Sequence, residues 1–293
     1  MVAVLALTLV AAVGCAKSVP SGVDKDLVNG WAMMAEAKVP EPEAGACWTS
    51  SAGDVDKIVS VPVATTAVPC TDKHSIETVL VGHFTGAAAD GDLPPTLDRM
   101  ADTYAACDAE VTKFLGGSWQ LGRVRMLVYP PTATQWRGGA RFYRCDVASL
   151  TGISGAIEDR TASLQGSLRA GGDRLHGCAV MDGGIDKWTE MTPAACTAPH
   201  DAEFMGLITS KSGAWPADKT AAKAAFDTAC VDKIRTFTGG AINALANAKA
   251  QYWYPRVASS AEEWSAGNHN AHCFVMLPKK ISRSLKGNGS KAV

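Results

Sequence analysis

The stretch CTDKHSIE at residues 70–77 returns as CTAPHDAE at residues 196–203, and each stretch leads into an apolar segment. Both read C-T-x-x-H-x-x-E, so a cysteine, a histidine and a glutamate recur at the same offsets. Recurrence at fixed offsets is the mark of an internal repeat, which decides the architecture before any single residue does. The sequence therefore predicts two related structural units.

The cysteines extend this repeat over most of the chain. Apart from Cys15, they form two sets of four that follow the same order, Cys47, Cys70, Cys107 and Cys145, then Cys178, Cys196, Cys230 and Cys273. In each set a tryptophan precedes the fourth cysteine by nine residues, Trp136 in the first set and Trp264 in the second. We therefore predict two tandem copies of one small domain, over residues 45–170 and 171–288.

A serine–leucine pair followed by a basic residue ends the alignment of the two copies. We match Ser167-Leu168-Arg169 of the first copy with Ser284-Leu285-Lys286 of the second. Residues 289–293 then form a short polar tail. This match sets the register of the closing segment in each predicted domain.

The N-terminus reads as an export signal. Residues 1–14 are an uncharged apolar run that precedes Cys15. This run is too short to span a membrane as a helix and has the length of a signal-peptide core. Small residues before Cys15 resemble the lipobox of bacterial lipoproteins, which predicts cleavage after residue 14 and lipidation of Cys15. Ordinary secretion with Cys15 incidental is the alternative. Residues 15–44 then form a flexible tether to the outer face of the membrane.

Composition narrows the class of protein. Apolar residues make up 47% and charged residues 19% of the chain, which is enough apolar material for buried cores. The net charge is −1 and no basic cluster stands out, which argues against a nucleic-acid partner. We therefore predict a folded protein that reaches the membrane through its lipid.

Disulfides are the expected state of the eight paired cysteines, because export places them in an oxidising compartment. Structural zinc sites use closely spaced C-x₂₋₄-C pairs, whereas the nearest two cysteines here are Cys178 and Cys196. We expect no metal and no cofactor. Four cysteines can pair in three ways, and the sequence leaves all three open. We favour first with second and third with fourth, which closes loops of about 20–40 residues.

The apolar pattern of each copy indicates an α+β fold. Apolar residues recur at steps of three and four over residues 96–115 and again over about 218–237, which predicts one amphipathic helix per copy. Strands are predicted at 78–81, 124–128 and 141–147 of the first copy. Each copy is therefore a short mixed or antiparallel sheet with one main helix.

The duplicated His74/Glu77 and His200/Glu203 are the best polar candidates for a site. Such a pair could ligate a metal or supply a general base. The structural alternative, which we favour, is that the histidine hydrogen-bonds the cysteine loop. No other acid, histidine or nucleophile recurs at a matching offset to complete a catalytic set.

Trp136 and Trp264 are candidate binding residues as well. Exposed, they would be stacking platforms for sugars or peptides; packed on a disulfide, they would be core residues, which is the commoner arrangement.

His269 and His272 flank the last cysteine, but the first copy has Arg141 and Arg144 at these positions. A metal-binding role shared by the two copies is therefore not expected.

These residues together resemble the septum-formation domain of actinobacterial envelope proteins. The motifs are G-x-C-W, C-T-x-x-H-x-x-E, a helical cysteine, W-x-x-G-x-R-x-x-x-C and S-L-K-G, here at 45–48, 70–77, 107, 136–145 and 284–287. The resemblance covers about residues 45–288. It implies an extracytoplasmic lipoprotein or membrane-anchored module linked to septum assembly, and it brings no catalytic residues with it.

From these observations we predict a non-enzymatic, lipid-anchored envelope module that binds a cell-wall polymer or an envelope protein. Two copies on one chain would raise avidity if both engage one partner. The alternative is an envelope-acting hydrolase or metal-dependent enzyme that uses the His-x-x-Glu pairs.

Overall fold

The computed structural model describes residues 39–49, 67–153, 156–185, 187–240, 251–253 and 261–288. All of these belong to one compact unit that spans 38–293. The predicted signal peptide, Cys15, the tether as far as residue 38 and the tail at 289–293 lie outside the described residues.

The first half of the unit is a four-stranded antiparallel sheet with the strand order β1-β2-β4-β3. Its elements in chain order are β1 (Cys47–Trp48), β2 (Ile76–His83), α1 (Ala101–Leu115), β3 (Val124–Tyr129), α2 (Ala133–Arg137) and β4 (Phe142–Ser149). The three predicted strands are present as β2, β3 and β4. The predicted bounds lie within two residues of the observed ones at each end.

The second half is a five-stranded antiparallel sheet with the order β6-β5-β7-β9-β8. Its elements are β5 (Cys178–Asp182), β6 (Glu190–Ala194), β7 (His200–Thr209), α3 (Lys219–Thr238), β8 (Gln251–Trp253), α4 (Ala261–Ser265) and β9 (Asn270–Ile281). Both sheets are antiparallel, and the class is α+β as predicted.

The main helices are α1 and α3, one for each sheet. Helix α1 begins five residues later than predicted, because Leu97–Arg99 form a 3-10 turn and Met100 departs from helical geometry. Helix α3 begins at an Asp218 cap, whose side chain accepts the Ala221 N–H at 2.8 Å. Both end at a left-handed glycine, Gly116 and Gly239, a conformation that a side chain would strain.

One hydrophobic core serves both sheets. A single cluster of buried side chains contains Leu115 of α1 and Val147 of β4 together with Ile234 of α3 and Val275 of β9. Because an isolated half would expose its share of this core, we expect the two halves to depend on each other for stability.

The segment between the two sheets is paired with residues 121–123, which directly precede β3. The Arg123 N–H donates to the Arg174 carbonyl at 2.8 Å, and the His176 N–H donates to the Leu121 carbonyl at 2.9 Å. A side-chain contact also joins the two halves, because the Gln120 side-chain amide donates to the Asn268 side-chain oxygen at 2.7 Å. The boundary that the sequence placed between residues 170 and 171 is thus followed closely by chain that pairs with the residues before β3 in the first half.

Four disulfides connect the eight cysteines. The pairs are Cys47–Cys70, Cys107–Cys145, Cys178–Cys196 and Cys230–Cys273. This is the first-with-second, third-with-fourth pairing that we favoured. In each half one disulfide closes a loop beside the His-x-x-Glu motif, and the other ties the main helix to the strand that carries the fourth cysteine.

We expect the two disulfides of the second sheet to differ in their contribution to stability. The loop entropy removed from the unfolded chain grows with separation, which is 43 residues for Cys230–Cys273 and 18 for Cys178–Cys196. Replacing Cys230 and Cys273 together by alanine should lower the free energy of unfolding by ~4 kcal/mol, against ~3 kcal/mol for the other pair. Urea unfolding without reductant measures both, and a larger loss for the shorter loop would contradict this ranking.

Candidate functional site

The histidine of each repeated motif is buried and bonded to its own loop. His74 and His200 have no exposed surface. The Nδ1 atom of His74 lies 2.8 Å from the Asp72 carbonyl, and that of His200 lies 2.8 Å from the Ala198 carbonyl. Since a carbonyl only accepts, Nδ1 donates in both halves. Each ring therefore ties the turn that follows the second cysteine, which is the structural role that we favoured.

The glutamate of the first motif accepts three hydrogen bonds inside the protein. Arg160 Nη2, Ser163 Oγ and the Leu164 N–H donate to the Glu77 carboxylate at 2.8, 2.7 and 3.0 Å. The residue is 4% exposed. A buried carboxylate needs this kind of compensation, so Glu77 anchors the segment that returns to the cysteine loop.

The glutamate of the second motif does the same with a different partner set. Ser284 Oγ and the Leu285 N–H, at 2.7 Å for the latter, donate to Glu203. Arg160 pairs with His74 across an isolated bridge, and Ile281 pairs with His200 at the corresponding place. An apolar side chain therefore stands in the second sheet where the first sheet has the guanidinium that contacts Glu77.

These contacts correct the alignment of the closing segments. Ser163 and Leu164 donate to Glu77 in the same way as Ser284 and Leu285 donate to Glu203. The match of Ser284-Leu285 with Ser167-Leu168 is therefore wrong by four residues. The pair Ser-Leu occurs twice within six residues, and the basic Arg169 made the second occurrence look like the better match. Only the hydrogen bonds to the buried carboxylates distinguish the two.

We expect the buried ion pair of Glu77 to matter more for stability than its counterpart. The Glu77→Ala variant leaves the Arg160 guanidinium buried without its carboxylate and should lose ~3–5 kcal/mol of unfolding free energy. Glu203→Ala removes the hydrogen bonds from Ser284 and Leu285 and should lose ~1–3 kcal/mol. The control is Glu110→Ala, an exposed pair with Lys113, expected below ~1 kcal/mol. Urea unfolding that ranks Glu77→Ala with Glu110→Ala would contradict this interpretation.

The two repeated tryptophans are core residues in this structure. Trp136 and Trp264 are 1% and 3% exposed. Their Nε1 atoms donate to main-chain carbonyls, that of Gly91 at 2.6 Å and that of Gly213 at 3.1 Å. With His74, Glu77, His200 and Glu203 also buried, none of the six candidate binding residues lies at the surface.

Arg141 and His269 occupy matching positions in the two halves and make similar contacts with the repeated tryptophans. Arg141 lies over the Trp136 ring at 4.0 Å and donates from Nη1 to the Trp136 carbonyl at 2.8 Å. His269 stacks on Trp264 at 4.4 Å, and its Nε2 lies 3.0 Å from the Trp264 carbonyl. A guanidinium and an imidazole both offer a flat face and an N–H, so either one fits.

The other pair of matched positions, Arg144 in the first half and His272 in the second, has different chemistry in the two sheets. In the first sheet Arg144 forms a buried ion pair with Asp146 and lies over the Trp48 ring at 4.4 Å. In the second sheet His272 and Phe274 occupy the matching register positions. A buried ionic network in one half is thus an aromatic cluster in the other.

His272 lies at the junction of the two sheets. Its Nε2 donates to the Gln120 carbonyl at 2.6 Å, and its ring meets His176 edge to face at 4.7 Å between centroids. Burial lowers the pKa of His272 from 6.5 to about 4, and Arg125 acts in the same direction. Burial also lowers the pKa of His176, with His272 and Arg123 adding to the effect. Both rings are therefore neutral at pH 7.

This pair predicts a loss of stability in mild acid. The folded pKa of His272 lies below its unfolded value, so the unfolded chain takes up the proton first as the pH falls below 6.5. The loss continues until the pH reaches about 4 and amounts to ~3 kcal/mol for His272 alone. His272→Gln should flatten the curve of unfolding free energy between these pH values. His83→Gln, at an exposed ring, is the control; equal curves for His272→Gln and wild type would exclude this assignment.

A buried glutamate that the sequence analysis missed joins the two halves. Tyr104 Oη and Arg125 Nη2 of the first half donate to Glu263 at 2.9 and 2.8 Å, and the Asn268 side chain donates at 2.9 Å. Burial and the Glu263 charge raise the pKa of Tyr104. The one available signal was that Glu263 precedes Trp264 where Gln135 precedes Trp136.

Two groups of metal-ligand types occur among the described residues, and both contain disulfide sulfurs. They are Cys47, Cys70 and Glu77, and Cys178, Cys196 and Glu203. Sulfurs joined in a disulfide are not thiolates, so either group could take a metal ion only after reduction.

In the part of the chain that the structure describes, no helix combines the length and apolar composition that crossing a membrane requires.

The fold and the motif geometry define a class of disulfide-bonded α+β proteins in which a His-x-x-Glu motif is built into each sheet. The chain belongs to the septum formation family, which it matches over residues 44–273. One match spans both cysteine sets. No curated protein and no solved structure matches the chain.

Proposed function

We propose that this protein is a lipid-anchored, extracytoplasmic and non-enzymatic scaffold for septum or cell-wall assembly. The observation that carries the proposal is the burial of the repeated histidines and glutamates, because each histidine Nδ1 and each glutamate carboxylate is hydrogen-bonded within the fold. Membership of the septum formation family supports the cellular process. Four disulfides support an oxidising compartment outside the cytoplasm.

The two sheets are proposed to be tandem copies of one ancestral unit. Matching cysteine pairs, matching histidine contacts and matching glutamate contacts support this relationship. The shared core changes how it should be tested, because deletion of one copy would expose the apolar surface of the other. Point variants at the surface are therefore the appropriate tool for comparing what the copies bind.

The hydrolase alternative makes a different demand on the same residues. A general base at His74 or His200 has to reach a substrate, whereas both rings are buried and hold their own loops. The experiment compares cells that carry the double variant His74→Gln/His200→Gln with cells that carry Glu77→Ala. In each strain the frequency of septum defects is measured together with the amount of folded protein. A scaffold gives defects that follow the folded amount. Septum loss with normal folded protein in the histidine variant alone would favour the enzyme.

Lipid attachment at Cys15 is tested by fractionation. We expect wild-type protein in the membrane fraction and Cys15→Ala protein outside it, because no acyl chain is added. Ser18→Ala, three residues further along, is the matched control and should fractionate as wild type. Equal membrane association of the Cys15→Ala protein would exclude lipid anchoring at this residue.

A further inference from the structure

A depression of about 320 Å³ lies where the segment between the sheets passes the Cys178–Cys196 disulfide. Arg123, which directly precedes β3, and Asp173 line one part of it. Gly177, Pro193 and Ala194 give it a wall of small or apolar groups. The volume lies near the lower end of the range for small-ligand sites, ~300–1,000 Å³. The position joins residues from both halves of the molecule.

Arg123 and Asp173 are the charged residues that line this depression, and among the described residues no carboxylate lies within ion-pair distance of the Arg123 guanidinium. Its Nη2 donates to the main-chain carbonyl of Asp173 at 2.9 Å. Its Nε is buried and has no hydrogen-bond partner within the described part of the chain. A guanidinium with an unsatisfied donor is a strong partner for an anion, because hydrogen bonds between charged groups are stronger than those between neutral ones.

The neighbouring acids are engaged by another arginine. Arg174 contacts Glu158 through Nη1 and lies 3.6 Å from the Asp173 carboxylate through Nε. The two arginines and two acids sum to zero charge, so a monoanion suits the depression better than a phosphate dianion. The planar fork of a guanidinium matches the two oxygens of a carboxylate.

We propose that this depression binds an organic carboxylate with a small apolar substituent, with the carboxylate on Arg123 and the substituent against Pro193 and Ala194. A peptide that ends in alanine carries both groups. The site does not depend on the scaffold function, since binding of a free carboxylate is measured without reference to anchoring or to the septum.

The test is a titration of the full chain, purified with its disulfides intact, with N-acetylalanine. Amide signals of Gly177 and Ala194 and the Nε–H signal of Arg123 are followed by ¹⁵N-resolved NMR. We expect saturable shifts at these signals and much weaker binding of N-acetylalanine amide, which has no negative charge. Inorganic phosphate should bind more weakly than N-acetylalanine.

The variants separate the site from general surface charge. Arg123→Gln should weaken N-acetylalanine binding at least ~10-fold, because a charge-assisted pair is lost. Arg123→Lys keeps the charge without the planar fork, so its affinity for N-acetylalanine should lie between those of the wild type and of Arg123→Gln. Arg137→Gln, an exposed arginine on α2, is the matched control and should bind as wild type. Thermal unfolding checks that each variant is folded.

The proposal is overturned if wild type gives no saturable shift, if folded Arg123→Gln binds as wild type, or if phosphate binds as tightly as N-acetylalanine.

Discussion

Each sheet is organised around one buried carboxylate that receives the main chain from far along the sequence. Glu77 accepts the N–H of Leu164, 87 positions away, and Glu203 accepts that of Leu285, 82 positions away. A carboxylate taken out of water needs such donors in place. The strand, the cysteine loop and the returning segment must therefore assemble together, and the adjacent disulfide fixes the loop in the position that this assembly requires.

The same architecture accommodates two kinds of interior. Arg144 and Asp146 form a buried ion pair in the first sheet, while His272 and Phe274 fill the same register with rings in the second. A buried ion pair and a well-packed apolar cluster can be of similar stability, which makes this exchange physically permissible. It also makes the halves chemically distinct, because the second contains His272, whose pKa burial lowers to about 4.

The contacts at the junction make the stability of each half depend on the other. Glu263, Gln120 and the segment around Arg174 connect them through polar contacts, and the apolar core is continuous across them. A partner that binds at this junction would contact both sheets at once. For the proposed scaffold, any gain from duplication would then lie in surfaces composed of both halves more than in independent binding by each.

The sequence by itself determined the α+β class and the two main helices, with α1 shortened by a turn, and it favoured the cysteine pairing of the structure without excluding the other two. These features depend on local periodicity and on the spacing of matched residues, which a single sequence displays. It misplaced the Ser163-Leu164 segment and missed Glu263, because their identity depends on contacts more than 80 positions apart. The tertiary structure alone decided the strand order, the shared core and the burial of His74, Glu77 and their counterparts, since these follow from which surfaces meet when the chain packs.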